Sequence, residues 1–297
     1  MISNHHSRPG VSLGLLLLLS AAACWQAAGF EQTDVSEYTY PATALRNLSL
    51  ENRNGRIHLQ AWDRREIQLK VTKRVKGWRN EENKGILKEI KVERIHEGET
   101  LTIRTVWPNH WSWWGRSASV QYEIKLPRRM NVETTSSNGR VYASGLEGKQ
   151  RYSTTNGRIQ VQGGKGSLEA ETVNGAIEID GASGVLEAQT KNGSIRIQNI
   201  RGRLQAKTKN GRVRASFSAS PDGEVALNTK NGSVRLTLPS QTHADVVART
   251  ANGSIATDFP LTVQGEIGKK LEGQLGGGGP PIRLSTVNGS IRISKLE

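Results

Sequence analysis

The sequence has few bulky side chains and almost no cysteine. Aromatic residues make up 5% of its 297 residues, and the single cysteine excludes a disulfide bond within the chain. With so few large side chains, long helices packed around a bulky core are not expected. Glycine is abundant instead, at 32 residues, which favours many short strands separated by tight turns. The composition therefore predicts an all-β protein.

Strongly apolar sequence is concentrated at the N-terminus, in the run VSLGLLLLLSAAA directly before Cys24. At 13 residues the run is too short to span a membrane, and it ends in small residues, as export signals do. We therefore expect residues 1–24 to be a signal peptide. The three alanines before the cysteine resemble the lipobox of bacterial lipoproteins without its first leucine, which predicts lipid attachment at Cys24. Ordinary signal cleavage nearby is the alternative.

Acidic residues are outnumbered by basic ones, 27 to 41, which gives a net charge of +14 at pH 7. A charge of this size says nothing about the fold, but it favours contact with anionic surfaces. For an exported chain such surfaces are lipopolysaccharide, lipid headgroups or acidic glycans of the cell envelope. The sequence contains no motif that reads DNA or RNA, so a nucleic-acid partner is not expected.

The dipeptide Asn-Gly recurs through the sequence at regular intervals. Both residues tolerate a positive φ, so the pair is a strong turn signal. From Asn138 onward, four intervals are 18 residues long, the next two are 21 and the last is 36. A fixed period of this size is typical of a solenoid, in which each repeat stacks on its neighbours. The structural turns are predicted at Asn138-Gly139, Asn156-Gly157, Asn174-Gly175, Asn192-Gly193, Asn210-Gly211, Asn231-Gly232, Asn252-Gly253 and Asn288-Gly289.

Apolar and polar residues alternate on both sides of each turn, as they do in strands with one buried face. The segment after a turn has the pattern Ile-x-Ile, and the segment before it has the pattern Leu-x-Ala-x-Thr. Antiparallel hairpins give no reason for both strands to repeat in phase, whereas a parallel coil stacks like residues about 4.8 Å apart. The asparagines could then form a hydrogen-bonded ladder. We predict a right-handed parallel β-solenoid (β-helix) of 18-residue rungs with a narrow interior.

The chain divides into four predicted regions: a signal peptide over 1–24, a linker over 25–46, a first coil and irregular cap over 47–127, and solenoid repeats over 128–297. A cap is expected because an open solenoid end exposes unpaired strand edges. A short helix is predicted over Glu82–Ile90. The strands of the cap region are predicted at Leu48–Gly55, Ile57–Ala61, Glu66–Val75, Lys91–Ile95, Thr100–Val106 and Ser119–Leu126. The 36-residue interval holds either a further rung with a loop or one long excursion.

A tryptophan-rich segment, VWPNHWSWWG, lies between two predicted strands of the cap region. Tryptophan is enriched where a protein contacts sugar rings or a membrane interface. The same residues would also serve as an apolar plug over the end of the coil. We predict either a contact loop or such a plug, formed by Trp107, Trp111, Trp113 and Trp114.

Basic side chains recur at two outward positions of consecutive rungs. The two rows are Lys191, Lys209 and Lys230, and Arg196, Arg214 and Arg235. Stacking would place the members of a row about 5 Å apart, so that both rows form one cationic strip with Lys207 beside it. Like charges at this spacing repel, so stability does not require them. We predict either an anion-binding surface or a solvated face.

No group of side chains has the spacing of a catalytic or metal site, so we expect no enzyme activity, no metal and no cofactor. The alternative is a β-helix lyase or hydrolase that cleaves polysaccharides with acids clustered on one outer face. The aspartates are scattered over different rung positions: Asp180, Asp222, Asp245 and Asp258. The glutamates of one outward patch are interpreted as a solvated face: Glu169, Glu171, Glu178 and Glu187. The histidines beyond the leader lack ligand spacing: His58, His96, His110 and His243.

The series T-x-N-G-x-I-x-I with glycine bends resembles the putative-adhesin, beta-strand-repeat family of unknown function in bacterial envelope proteins. It is similar to the head domain of auto-transporter adhesins. The likeness covers about residues 46–297, including VQYEIKLPRRMNVETTSSNGRV and the terminal STVNGSIRIS. The resemblance implies a non-enzymatic periplasmic or surface role and supplies no catalytic residues. We expect an adhesin-like or scaffold protein whose partner is an anionic envelope polymer, a lipid headgroup or another envelope protein; a purely structural repeat protein is the alternative.

Overall fold

Strands make up most of the computed structural model, which describes residues 29–108, 116–260, 262–263 and 269–296. Some of the predicted site residues lie outside these ranges, namely Cys24, His110, Trp111, Trp113 and Trp114. Among the described residues, no helix is both long enough and apolar enough to cross a membrane.

Seven strands and one helix precede the regular repeats. They are β1 (Phe30–Pro41), β2 (Asn47–Asn54), β3 (Ile57–Trp62), β4 (Glu66–Gly77), α1 (Asn80–Glu89), β5 (Lys91–Glu97), β6 (Thr100–Val106) and β7 (Ser117–Pro127). The six strands predicted for the cap region are therefore present. The predicted helix is present as well, and its amide-bearing Asn83 is buried, donating hydrogen bonds to the carbonyls of Phe30 (2.9 Å) and Gly77 (3.2 Å).

The segment predicted to be a linker, residues 25–46, contains the strand β1. β1 pairs antiparallel with β4 along its whole length. Its acidic side chains face basic ones on β4, as in the ion pairs of Glu31 with Arg74 (3.1 Å) and Asp34 with Lys73 (3.3 Å). The linker prediction was wrong here because β1 has few apolar residues of its own and forms a strand by backbone pairing with the distant β4, which a local pattern does not reveal.

The described part of the repeat region contains fifteen strands, and three of them, which begin at Ile159, Ile177 and Ile195, continue from one Asn-Gly turn to the next. They are β8 (Asn131–Asn138), β9 (Val141–Ser144), β10 (Glu147–Asn156), β11 (Ile159–Asn174), β12 (Ile177–Asn192), β13 (Ile195–Asn210), β14 (Val213–Phe217), β15 (Val225–Asn231), β16 (Val234–Leu238), β17 (Ala244–Asn252), β18 (Ile255–Thr257), β19 (Thr262–Val263), β20 (Lys270–Leu275), β21 (Pro281–Asn288) and β22 (Ile291–Lys295).

Successive repeats pair in parallel, as the sequence predicts. Ile159 lies opposite Ile177, which lies opposite Ile195, so each partner is one repeat further along the chain. On the other side of the turn, Leu168, Leu186 and Leu204 stack in the same way. The result is an open, all-β sheet that coils in the manner of a solenoid. Its right hand stays a prediction.

The buried side chains of both strands of a rung contribute to one core. Both the Ile-x-Ile segments and the Leu-x-Ala-x-Thr segments bury every second residue, and these residues belong to a single apolar cluster. Burial of each aliphatic side chain contributes about 1.5–3 kcal/mol. The strands alternate in polarity because only one face of each reaches this core, and the other face is left on the surface.

The asparagine of each turn belongs to a continuous ladder of side-chain amides. In the regular repeats each Nδ2 donates to the Oδ1 of the neighbouring rung at 2.8–2.9 Å, from Asn156–Asn138 to Asn252–Asn288. The buried threonine two residues earlier donates its hydroxyl to the carbonyl of a turn glycine, as Thr190 does to Gly175 at 3.1 Å. These bonds satisfy polar groups that the tight turn leaves without ladder partners.

The turn glycines are required by close stacking. A Cβ built on Gly193 would lie less than 3.0 Å from the carbonyl oxygen of Gly175, and the glycines of neighbouring turns are equally close. The sequence interpretation was that both turn residues tolerate a positive φ; in this coil none of the turn asparagines adopts one, and only some of the turn glycines do, namely Gly211, Gly232 and Gly289 among the predicted turns. Among the described residues, Asn199 (φ 54°) is the one non-glycine residue at positive φ, and it lies in a bend. A turn within a parallel coil does not need the hairpin geometry on which that interpretation depended.

The order of rungs in space differs from their order in the chain at the N-terminal end. The rung β2–β3 pairs in parallel with β8–β9 on one side and with β6–β7 on the other. β6–β7 is thus the outermost parallel rung, although it follows β2–β3 in the sequence. β5 and β4 extend its two strands with antiparallel pairs, which together with α1 and β1 form the cap.

The same exchange of order occurs at the C-terminal end. β21–β22, the last rung of the chain, lies between β15–β16 and β17–β18 and pairs in parallel with both. Between β18 and β21, the 36-residue interval holds an excursion in which β20 pairs antiparallel with β17, and its described residues form no additional parallel rung. Of the two alternatives that the sequence left open, the long excursion is the one observed.

Candidate functional site

Lys191, Lys209 and Lys230 lie on three consecutive rungs, each directly before an asparagine of the ladder. The asparagines that follow them are in register with one another, which fixes the three lysines in a row. Parallel rungs are about 4.8 Å apart, so the row spans about 10 Å. All three side chains are exposed, since they are on the face of the strand opposite the buried threonines.

A second line of side chains runs parallel to this row, two residues earlier in each strand. Gln189, Lys207 and Asn228 are register neighbours in that order. Glu171 precedes Gln189 in the same line, and Ser285 follows Asn228. Lys207 therefore stands on the same rung as Lys209, with an amide on the rung at either side.

A groove of about 650 Å³ lies between the two lines, and we call it the lysine groove. Its floor is the backbone at Thr172, Thr190, Thr208 and Thr229, whose buried side chains point away from the groove and donate their hydroxyls to turn-glycine carbonyls. The positions before the asparagine are occupied by exposed valines, Val173 and Val287, where the lysine row ends on each side. The groove thus has a cationic centre and apolar ends.

The lysines of the groove have no ion-pair partner among the described residues, unlike many surface cations of this protein. Elsewhere on the coil, for example, Arg151 pairs with Glu169 at 2.6 Å and Arg158 pairs with Glu178 at 3.6 Å. Glu171 lies at the far end of the groove from Lys230. Four cations therefore converge on one surface without a carboxylate between them.

The second predicted row is also present, and the structure extends it by one residue. Arg196, Arg214 and Arg235 are in register, and Arg292 lies next to Arg235 because the last rung is inserted there. Arg292 was not predicted to belong to the row, since it is far from Arg235 in the sequence. It is paired with Asp258 at 3.1 Å.

The two basic rows do not form a single strip. The strands on either side of the Asn-Gly turn bury their inner faces in the same core, so their outer faces point away from each other. None of the three predicted arginines lines the lysine groove. Arg196 lines a separate shallow depression with Glu178 and Asp180. The protein therefore presents two distinct cationic surfaces.

Of the predicted tryptophan cluster, Trp107 is the member within the described residues. It is half-buried and packs against the core at the end of β6. The role of the cluster as plug or contact loop stays a prediction.

The acidic and histidine residues do not converge on one site. Asp180, Asp245 and Asp258 bond separate neighbours, namely Asn199, Gln274 and Arg292. His58 packs edge-on against Tyr142, and His96 and His243 each contact a backbone carbonyl. In the described part of the chain, no group of three or more histidine, cysteine, aspartate or glutamate side chains could hold a metal ion.

Several solved structures resemble this chain weakly. A putative adhesin from Bacteroides fragilis is 13% identical with a TM-score of 0.41, over 89% of this chain and 97% of that one. A putative lipid binding protein from Parabacteroides distasonis is 15% identical with a TM-score of 0.28 over the same shares. A putative cell adhesion protein from Clostridium sporogenes is 12% identical with a TM-score of 0.23, over 90% of this chain and 100% of that one. At these identities and TM-scores, none of them indicates what this chain binds.

No curated protein matches the chain. A family model described as Toastrack DUF4097, a domain of unknown function, matches residues 45–294. That range begins just before β2 and ends within β22, so it contains the rungs of the coil and all of the cap except β1. The resemblance drawn from the Asn-Gly repeats is thereby confirmed, and the chain belongs to the Toastrack DUF4097 family.

Proposed function

We propose that this is a non-enzymatic exported protein of the cell envelope that holds anionic polymers or lipid headgroups in its lysine groove. One observation carries the proposal: Lys191, Lys207, Lys209 and Lys230 converge on one groove and form no ion pair among the described residues, and the acidic residue of the groove, Glu171, lies at its Val173 end. Placing like charges on adjacent strands costs stability, so folding alone does not account for them. An anion that lies along the groove removes this repulsion.

The strength of such binding comes from the number of contacts. An exposed ion pair contributes about 0–1 kcal/mol, so several lysines must act together to hold a ligand. Binding should weaken steeply with salt, because the Debye length falls from about 10 Å at 0.1 M to about 3 Å at 1 M. The export of the protein is part of the proposal and depends on the leader, with Cys24 as the site of a lipid anchor.

The experiment compares two variants of equal net charge. Lys191, Lys209 and Lys230 are changed together to glutamine in one, and Arg196, Arg214 and Arg235 in the other. We expect the lysine variant to lose most of its retention on vesicles with anionic lipid at low salt, and the arginine variant to keep most of it. Equal losses in both variants would mean that binding reflects net charge alone, and a loss confined to the arginine variant would move the site to the other surface.

Recovery of the ligand separates binding from catalysis. Acidic polysaccharide incubated with the protein should be recovered at its original length. Shortened products that disappear when a single outward aspartate or glutamate is changed would contradict the non-enzymatic proposal and favour a polysaccharide-cleaving β-helix enzyme.

A further inference from the structure

The lysine groove is bounded, and its composition changes rung by rung. The central rung carries two lysines, Lys207 and Lys209. Each flanking rung carries one amide and one lysine, which are Gln189 with Lys191 and Asn228 with Lys230. Beyond these the lysine position becomes valine, at Val173 on one side and Val287 on the other. The cationic part therefore extends over three rungs and then stops.

The spacing of the lysines limits the ligand. Consecutive rungs are about 4.8 Å apart, so a ligand that meets Lys191, Lys209 and Lys230 in turn has one anionic group about every 5 Å. A 1,4-linked pyranose unit has nearly this length. A linear polysaccharide with one carboxylate on each sugar would therefore present one anionic group per rung, and the long lysine side chains can follow carboxylates that point to different sides of the chain, whereas the phosphates of an inorganic polyphosphate are more closely spaced.

The amides of the flanking rungs favour a ligand that carries hydroxyl groups. Asn228 Oδ1 accepts a hydrogen bond from Ser285 Oγ at 2.5 Å, which leaves the Nδ2 amide to donate. Gln189 is exposed and lines the groove with both its donor and its acceptor. The acceptor oxygen of an amide repels a bare phosphate chain but accepts a bond from a sugar hydroxyl.

We infer that the lysine groove binds a linear acidic oligosaccharide, with one carboxylate per sugar and three successive sugars in contact. This inference rests on the proposed function, because it identifies the ligand class of the same groove. The carboxylates pair with Lys191, Lys209 and Lys230, Lys207 adds a second cation to the central sugar, and the two amides bind hydroxyls of the outer sugars.

The test is calorimetric titration of the exported chain with 1,4-linked galacturonate oligomers of one to six units at low salt. Affinity should rise by a factor of about two to five for each unit up to three and then level off, since each exposed contact contributes little. The methyl-esterified trimer, which is neutral, should not bind. Changing Val173 and Val287 together to lysine should move the plateau to five units.

The possible outcomes separate this inference from the proposed function. An affinity that keeps rising beyond three units in the wild type would overturn the bounded site, and tighter binding of inorganic tripolyphosphate than of the galacturonate trimer would overturn the sugar ligand. If no oligomer binds, but changing Lys191, Lys209 and Lys230 to glutamine still reduces retention on anionic vesicles, the inference fails and the proposed function stands. If the lysine variant matches the wild type on vesicles as well, both fail.

Discussion

At the scale of single residues, the Asn-Gly pair joins neighbouring rungs rather than simply turning the chain. The side-chain amide of each asparagine hydrogen-bonds to the equivalent amide on the neighbouring rung, and the glycine leaves room for the backbone of the next turn. The position of each turn could be predicted from the sequence because Asn-Gly occurs at few other places, so that its regular spacing is easily recognised. The reason for the glycine could not, because the contact that requires it is made with another rung.

The close approach of turn glycines predicts a large loss of stability for Gly193→Ala. A Cβ there would lie less than 3.0 Å from a backbone oxygen of Gly175, and backbone must move to make room. We expect the free energy of unfolding to fall by about 3 kcal/mol, at the upper end of overpacking effects. Denaturant unfolding followed by circular dichroism measures the change.

Gly85→Ala is the matched control for this substitution. Gly85 lies within α1, and a Cβ built on it meets no atom within 4 Å. Alanine is the better helix former, so this variant should be more stable by about 0.5–1 kcal/mol. A loss at Gly193 no larger than the effect at Gly85 would contradict the stacking explanation.

The buried Tyr122 predicts a loss of stability at alkaline pH. Burial raises its pKa to about 12, partly offset by its 2.6 Å hydrogen bond with Thr105. In the unfolded chain the pKa of tyrosine is about 10, so the folded state binds the proton more tightly. This contribution to stability is complete below pH 10 and is lost between pH 10 and 12, by about 1.4 kcal/mol per pH unit.

Unfolding curves measured from about pH 8, where the contribution is complete, to about pH 11.5, where most of it should be lost, provide the measurement. Tyr122→Phe cannot ionise, so its stability should fall less steeply above pH 10 than that of the wild type. Some decline should remain, because burial also raises the pKa of Tyr152. Tyr142→Phe, at a half-exposed tyrosine, should keep the wild-type slope. Identical slopes for wild type and Tyr122→Phe would disprove the assignment.

At the scale of strands and rungs, the in-phase repetition was sufficient to predict parallel pairing. It was not sufficient to predict how the strands are arranged at the two ends of the coil. Both end rungs are out of chain order, and a local pattern of residues does not reveal which distant rung becomes its neighbour. The placement of Arg292 beside Arg235 illustrates this limit, since it depends on where β22 is inserted. The strand β1 was missed for a similar reason, because its partner β4 is distant in the sequence.

The insertion of β21–β22 predicts an unusual pattern of backbone amide hydrogen exchange. Chain termini usually fray and exchange fast. Here β21 is paired on both sides, so its amides should exchange as slowly as those of β13 in the middle of the coil. β5, which is exposed along most of its length, should exchange much faster. Exchange measured by mass spectrometry would contradict this if protection declined steadily from β15 to β21.

At the scale of the whole molecule, the coil separates the basic side chains into two surfaces. The row positions of both were predictable, because outward residues follow from strand alternation. Their separation was not, since it depends on the direction in which the two strands of a rung turn their outer faces. The same applies to the lysine groove: Lys207, Gln189 and Asn228 become its second wall only when the register of several rungs is known.

The exchanged order of rungs also bears on how such a protein could lengthen during evolution. A copy of the repeat added after β22 would have no free edge to join, because that rung is already enclosed by β16 and β18. A copy added before β2 would meet β6 in the same way. Duplication within the middle of the coil, between turns such as those at Asn174 and Asn192, would instead supply its own ladder asparagine and turn glycine. Relatives of different length should therefore differ by whole repeats in the interior, with both ends retained.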